Sequence, residues 1–332
     1  MSKYNIIRSC LILAILGGVV SLIYYGYTPS LAPPASSYKL QDITIQVGEQ
    51  QRNYSLYIPQ KLREQAPMVF MLHRSMQTVA DIRESSGYQF ELLAEQHGFV
   101  LVYPQGYKNH WNDCRKIASY AARTENIDDL GFIDTIRQHL HERLHTDLNK
   151  TFIAGYSNGG QLGFRFALER PQSVAAIAAI AANLPSADNL DCIESGSAVP
   201  VLIMNGTEDP VNPYYGGQVS LFSFGFEFGD RGKVKSAVST AEYFAHLAGY
   251  NGSPSEIKHF KNTLAGDPTS SHYYAWRERG RAEVILYTIN EGGHVIPQPS
   301  YRAPRLLGRT SIELNGPEEI WAFFARQLAK QP

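Results

Sequence analysis

Cysteine is scarce in this chain. Three cysteines among 332 residues cannot staple a polypeptide of this length, which excludes a small disulfide-built scaffold. Charge is scarce too, at 18% of residues, and nearly balanced, with 30 Lys+Arg against 31 Asp+Glu. No basic block stands out, which argues against nucleic acid as a partner. Internal repeats, heptad runs and low-complexity tracts are missing beyond the first forty residues. A 44% hydrophobic content is too high for a disordered chain, which lacks the apolar surface to offset its ordering entropy. A folded globular chain remains.

The one long apolar run lies at the start. Lys3 and Arg8 precede Cys10 to Tyr27, and no charged side chain occurs between Ser9 and Tyr38. A basic stretch followed by about 18 apolar residues reads as an export signal, at the lower edge of what spans a bilayer. Ser30-Leu-Ala32 resembles a small-x-small cleavage site, but Pro33 follows it and disfavours cleavage. Residues 1–28 are therefore expected to be a signal peptide or a signal anchor, the only membrane contact anticipated. Residues 29–38, rich in proline and serine, read as a linker, and 39–330 as one extracytoplasmic catalytic domain, periplasmic or secreted.

Alternation at 43–47 and 54–58 suggests an edge hairpin. Continuous apolar runs at 68–72, 100–103, 151–154, 175–181, 201–204 and 284–289 suit strands buried on both faces. Amphipathic stretches between them, at 79–97, 128–145, 159–169, 237–248 and 318–329, predict helices. Alternating strands and helices imply an α/β domain with a mostly parallel central sheet flanked by helices. Ligands in such sheets bind beyond the carboxyl ends of the strands.

At one such end stands Gly155-Tyr-Ser-Asn-Gly159, a G-x-S-x-G between an apolar strand and a helical pattern. A serine hydroxyl needs exposure on a sharp turn and a base to take its proton. Ser157 is the expected nucleophile. Asp209 follows the next catalytic strand end and is the expected acid, with Glu208 as rival. His294 follows Asn290-Glu-Gly-Gly293 beyond the last strand and is the expected base.

These residues resemble a known group. Gly155-Tyr-Ser-Asn-Gly-Gly160, Asn205-Gly-Thr-Glu-Asp-Pro-Val-Asn-Pro-Tyr214 and Gly292-Gly-His294 are similar to the secreted polyhydroxybutyrate depolymerase and feruloyl/acetylxylan esterase group of α/β-hydrolases. Trp111-Asn112, Asp128 to Ile133, Gly308 to Ser311 and Ile320 to Phe324 add to the resemblance, which runs from about residue 43 to 328. It implies an α/β-hydrolase fold and a serine carboxylesterase acting through an acyl-enzyme, with no cofactor and no metal. It implies an oxyanion hole from the backbone N–H groups of Asn158 and Ser75, and substrate contacts from Arg74, Trp111, Tyr156 and Ile296.

Two departures from the family pattern stand out. The loop after the third strand reads Leu72-His-Arg-Ser-Met-Gln77 where the family carries glycines, and positive φ there would strain Arg74 or Met76. Arg74 beside the hole suggests a grip on a substrate carboxylate. After the histidine, Val295-Ile-Pro297 replaces the family's frequent tryptophan, and no polymer-binding module follows the last helix. Both favour soluble or oligomeric esters over solid polyester.

Alternatives remain. The Arg74 loop is compatible with a hydrolase-fold binding protein of weakened catalysis. His141-Glu142-Arg-Leu-His145 matches the zinc-protease H-E-x-x-H, yet lacks a third ligand and carries the buried stripe of an ordinary helix. Phe222, Phe224, Phe226 and Phe228 suggest an edge ribbon or a wall over the acyl site. With Cys10 in the export segment, Cys114 and Cys192 are left as a disulfide candidate or as two free thiols.

Overall fold

The computed structural model describes residues 17–18, 20, 24–34, 40–219, 230–260 and 264–330. Most of the N-terminal apolar run and all four of Phe222, Phe224, Phe226 and Phe228 lie outside them. Among the described residues, no helix is long and apolar enough to cross a membrane.

The strands are β1 (Gln41–Val47), β2 (Gln50–Tyr57), β3 (Met68–Leu72), β4 (Val100–Pro104), β5 (Thr151–Tyr156), β6 (Ala176–Ile180) and β7 (Val201–Gly206). After them come β8 (Gly217–Gln218), β9 (Lys233–Val234), β10 (Glu256–Phe260), β11 (Ser270–Trp276) and β12 (Val284–Asn290). The helices are α1 (Val79–Ser85), α2 (Gln89–His97), α3 (Ala121–Thr124), α4 (Asp129–Leu144), α5 (Asn158–Glu169), α6 (Ala237–Leu247) and α7 (Gly316–Leu328). Ten strands form one sheet in the order β1-β2-β4-β3-β5-β6-β7-β12-β11-β10, and β8 pairs with β9 in a separate ribbon. The six central strands from β4 to β12 run parallel, with antiparallel pairs at both edges. This is the mostly parallel α/β sheet expected from the alternation of runs, in the α/β-hydrolase arrangement that the resemblance implied.

Strand alternation divides the core. Met68, Phe70 and Leu72 of β3 face one apolar layer with α4, α5 and α6, while Val69 and Met71 face the other with α1, α2 and α7. Burial on both faces explains why the central strands read as unbroken apolar runs.

One expectation is corrected. The helix expected over 79–97 is two helices, because Tyr88 takes a left-handed φ of 55° and turns the chain between them. Two strands that were not anticipated, β10 and β11, follow α6; their antiparallel edge position leaves β10 mostly exposed and removes the apolar run that marks a central strand. The H-E-x-x-H segment lies at the end of an ordinary helix. α4 ends at Leu144, His145 is its left-handed cap, and His141 Nδ1 lies 2.6 Å from the Thr146 carbonyl. Among the described residues no cluster of three metal-ligating side chains occurs.

Cys114 and Cys192 are joined, with Cα atoms 5.0 Å apart across 78 residues of sequence. The bond fastens the loop after β4 to the segment preceding β7. The Arg115–Leu190 bridge and the Lys116 N–H to Asn189 carbonyl bond continue the same seam. Closing so long a loop removes denatured-state entropy worth about 4 kcal/mol in the chain-entropy account. The double substitution Cys114→Ser, Cys192→Ser is expected to lower unfolding stability by about 2–4 kcal/mol, read from a denaturant titration. An unchanged midpoint would contradict this.

Candidate active site

β5 ends at Tyr156, and the chain turns abruptly into α5 through Ser157, held at φ 53°, ψ −113°. That backbone is disfavoured for a side-chain-bearing residue and costs on the order of 1–3 kcal/mol. Glycines make the turn possible. A Cβ on Gly155 would lie 2.2 Å from the Gly159 carbonyl oxygen, and one on Gly159 would lie 2.5 Å from that of Leu72. The Ser157 N–H donates to the Ile180 carbonyl at 2.7 Å, anchoring the turn to β6. Ser157 keeps partial exposure although its neighbours on both sides are buried.

Asp209 and His294 meet at the same edge of the sheet, past β7 and β12. His294 Nδ1 lies 2.7 Å from Asp209 Oδ2, and both side chains are almost wholly buried. The other Asp209 oxygen accepts from the Val211 and Asn212 N–H groups at 2.8 and 2.7 Å. The carboxylate therefore cannot swing, and it dictates the imidazole's orientation. Glu208, the rival, instead follows the strand as a turn residue whose N–H donates to the Gly292 carbonyl. Tyr156 fixes His294 from below: its hydroxyl donates to the His294 carbonyl at 2.5 Å, and the two rings lie 5.4 Å apart. Burial, above all, raises the Tyr156 hydroxyl well beyond its ordinary pKa, so it remains a donor.

The loop after β3 is clamped by His73. Its Nε2 accepts the Gly106 N–H at 2.9 Å, which leaves Nδ1 protonated and donating to the Arg74 carbonyl at 2.7 Å. Burial holds this imidazole neutral and lowers its pKa to about 4. The Met76 N–H is bound to the Asn109 carbonyl at 2.8 Å. Met76 is the residue that takes the left-handed conformation, φ 64°, where the family pattern has glycine; its side chain points to solvent, which relieves the crowding.

Asn158 anchors the turn from the other side. Its side chain accepts the Trp111 N–H at 2.8 Å and donates to Asp113 Oδ2 at 2.6 Å. Asp113 also binds Arg115 Nη2 and the Tyr120 hydroxyl, each at 2.6 Å. Burial alone would raise the Asp113 pKa, but the Arg115 guanidinium and these hydrogen bonds hold it below the ordinary carboxylate value. Trp111 is fully buried, and its indole N–H donates to the His73 carbonyl at 2.8 Å. It supports the loop from beneath instead of contacting substrate, a correction to its expected role.

A cavity of about 180 Å³ opens beside the turn, lined among others by Arg74, Tyr156, Val295, Ile296 and Tyr301. Arg74, Tyr156 and Ile296, the expected substrate contacts, line it, whereas Ser157, Asp209 and His294 do not. Asp81 and Glu84 line the same cavity, which opposes the carboxylate grip expected of Arg74. The sequence reading missed Asp113, Tyr120 and His73 as supports. A lone aspartate beside Cys114 carries no motif, although its place after Trp111-Asn112 was a usable hint.

Comparison with known proteins bears on the fold and on the class of enzyme. Residues 52–214 match the family model described as Esterase PHB depolymerase. The chain is 24% identical over 258 residues to "Putative esterase NocK" of Nocardia uniformis subsp. tsuyamanensis, covering 76% of this chain and 72% of that protein. It is 25% identical over 182 residues to feruloyl esterase D of Neurospora crassa, covering 52% of this chain and 58% of that protein. Acetyl xylan esterase from Aspergillus awamori superposes with a TM-score of 0.54 at 17% identity, covering 79% of this chain and 96% of that one. These likenesses to esterases of the polyhydroxybutyrate depolymerase and feruloyl esterase type support a carboxylesterase hydrolase.

His73 generates a pH prediction. Its folded pKa of about 4 lies below the free value of 6.5, so the unfolded chain binds the extra proton between these limits. Stability from this group is full above about pH 6.5 and is lost as pH falls toward 4, by an amount on the order of 3 kcal/mol. The His73 imidazole resonances should still report the neutral ring at pH 5. A midpoint near 6.5 would show that the clamp does not exist.

Proposed function

We propose that this carboxylesterase is exported and works through Ser157, Asp209 and His294. The reading is supported by a strained, partly exposed serine at the end of β5 and a carboxylate-oriented histidine beyond β12, whose carbonyl accepts from Tyr156, the residue before the serine. His294 takes the Ser157 proton as the oxygen attacks an ester carbonyl, while Asp209 stabilises the imidazolium that forms. Backbone N–H groups of Asn158 and Ser75 receive the oxyanion. His294 returns its proton to the leaving alcohol, and water releases the acid by the reverse sequence.

The substrate is a soluble or oligomeric ester. Support comes from the cavity of about 180 Å³ beside Tyr156, with Val295 and Ile296 in its wall, whose size suits one short acyl or hydroxyacyl unit. Export agrees with the basic, then apolar N-terminal sequence and with the Cys114–Cys192 bond, which persists in an oxidising compartment. Residues 1–28 serve as signal or anchor, 29–38 as tether, and 39–330 as the catalytic domain.

Ser157→Ala is expected to cut p-nitrophenyl butyrate hydrolysis by about 10⁴-fold or more, and Asp209→Asn by about 10⁴-fold. Near-native turnover by Ser157→Ala would end the assignment. Side-by-side assay of hydroxybutyrate oligomers, feruloyl esters and acetylated xylan is expected to show the highest kcat/KM on a soluble short-acyl ester.

A further inference from the structure

A buried cation stands against the loop that follows β3. Arg231 is 5% exposed, and among the described residues no carboxylate forms an ion pair with it. Its Nη1 donates to Ser75 Oγ at 2.7 Å, and its guanidinium carbon lies 5.3 Å from the centre of the Tyr120 ring. Asp113 is close enough to favour the Arg231 charge but forms no ion pair with it, being engaged by Arg115, Tyr120 and Asn158. Burial first, then the Arg115 charge, lowers the Arg231 pKa to about 10, so it is still cationic at neutral pH. A desolvated charge with no directly paired carboxylate is costly in the resting protein.

Ser75 is the other half of the arrangement. It is 3% exposed, in the loop expected to face the oxyanion. A guanidinium has only donors, so Ser75 Oγ accepts from Arg231 and its own proton is left to point elsewhere. Among the described residues no acceptor takes that proton, and the Ser75 backbone N–H is likewise without an acceptor. The loop lies directly on the nucleophile turn: a Cβ on Gly159 would be 2.5 Å from the Leu72 carbonyl oxygen and 2.8 Å from that of His73. Two donors without a protein acceptor on one buried residue, backed by a buried cation that has no ion pair, form a site suited to an anion.

We infer that Ser75 gives the oxyanion two donors, its backbone N–H and its hydroxyl, and that Arg231 is the positioning residue that orients and polarises that hydroxyl. The inference rests on Ser157 being the nucleophile. No proton moves between Arg231, Ser75 and the substrate. The electron pair driven onto the carbonyl oxygen by Ser157 is stabilised in place and returns when the leaving group departs. The guanidinium charge is thereby offset further while the tetrahedral intermediate exists, which favours the transition state over the bound ester.

Steady-state kinetics on p-nitrophenyl butyrate test this. Ser75→Ala keeps the N–H and loses the hydroxyl; kcat is expected to fall about 10²-fold with KM within about 2-fold, and Ser75→Thr to recover most of the loss. Arg231→Gln is expected to lower kcat about 10-fold alone and by no further factor in the Ser75→Ala background. Affinity for a butyl trifluoromethyl ketone, whose serine adduct carries the oxyanion, is expected to fall in step with kcat. Ser75→Ala turning over like the native enzyme, or Arg231→Gln costing the same factor in both backgrounds, would overturn the inference. If thermal melting shows Arg231→Gln unfolded, the Ser75→Ala and Ser75→Thr pair decides alone. Turnover by Ser157→Ala would instead defeat the nucleophile assignment, so the two failures are distinguishable.

Discussion

Everything at the site depends on one backbone conformation, the φ 53°, ψ −113° of Ser157. A turn of this kind does not persist through its own hydrogen bonds. It persists because Gly155 and Gly159 let β5, α5 and the Leu72 carbonyl approach closer than any Cβ permits, and because Ser157 is tied to Ile180 of the neighbouring strand. Strain of about 1–3 kcal/mol is small against the burial of a ten-stranded sheet on both faces. The core thus supplies the rigidity, and the turn converts it into an exposed oxygen at a defined point.

The same logic organises the polar groups beneath the turn. Asn158 ties the start of α5 to the Trp111 backbone and to Asp113; Asp113 is tied to Arg115; and the adjacent Cys114 is bonded to Cys192. A second buried pair, Arg52 with Asp129, accepts the Asn112 N–H and fixes the same loop from the α4 side. Ion pairs of this depth add little net stability, because desolvation consumes most of their attraction. Their value here is geometric. Removing one partner would leave the other charged in an apolar layer, so the loop has one arrangement and not several.

Legibility followed the physics of each element. Central strands were readable because burial on both faces writes an unbroken apolar run, as at Met68–Leu72 and Val201–Gly206. Edge strands β10 and β11 were not, since one exposed face admits Lys258, His259 and His272 among the apolar residues. Ser157, Asp209 and His294 were marked by glycines and by strand ends, signals that lie within a few residues of each. The supports were invisible for the opposite reason. Asp113 and Arg231 bind partners far along the chain, Asn158 45 residues from Asp113 and Ser75 156 residues from Arg231, and a single residue of ordinary type records nothing about such a partner. Trp111 was visible as a motif but misread, because a family-like residue near a site is equally well explained by holding it up.

The loop after β3 shows what replacing glycine does. Glycines leave such a loop free to take left-handed backbone, at the expense of order. Here Met76 takes that conformation at φ 64° with its side chain in solvent, and the loop regains order from outside. His73 is locked neutral between Gly106 and Arg74, Trp111 holds the His73 carbonyl, and Asn109 holds Met76. A loop fixed this firmly can carry a side chain in a constant position, which a glycine loop cannot. Ser75 is the side chain so carried, and it meets Arg231 there. The glycine pattern is thus replaced by backbone ordered from outside and bearing a hydroxyl that accepts from a buried cation.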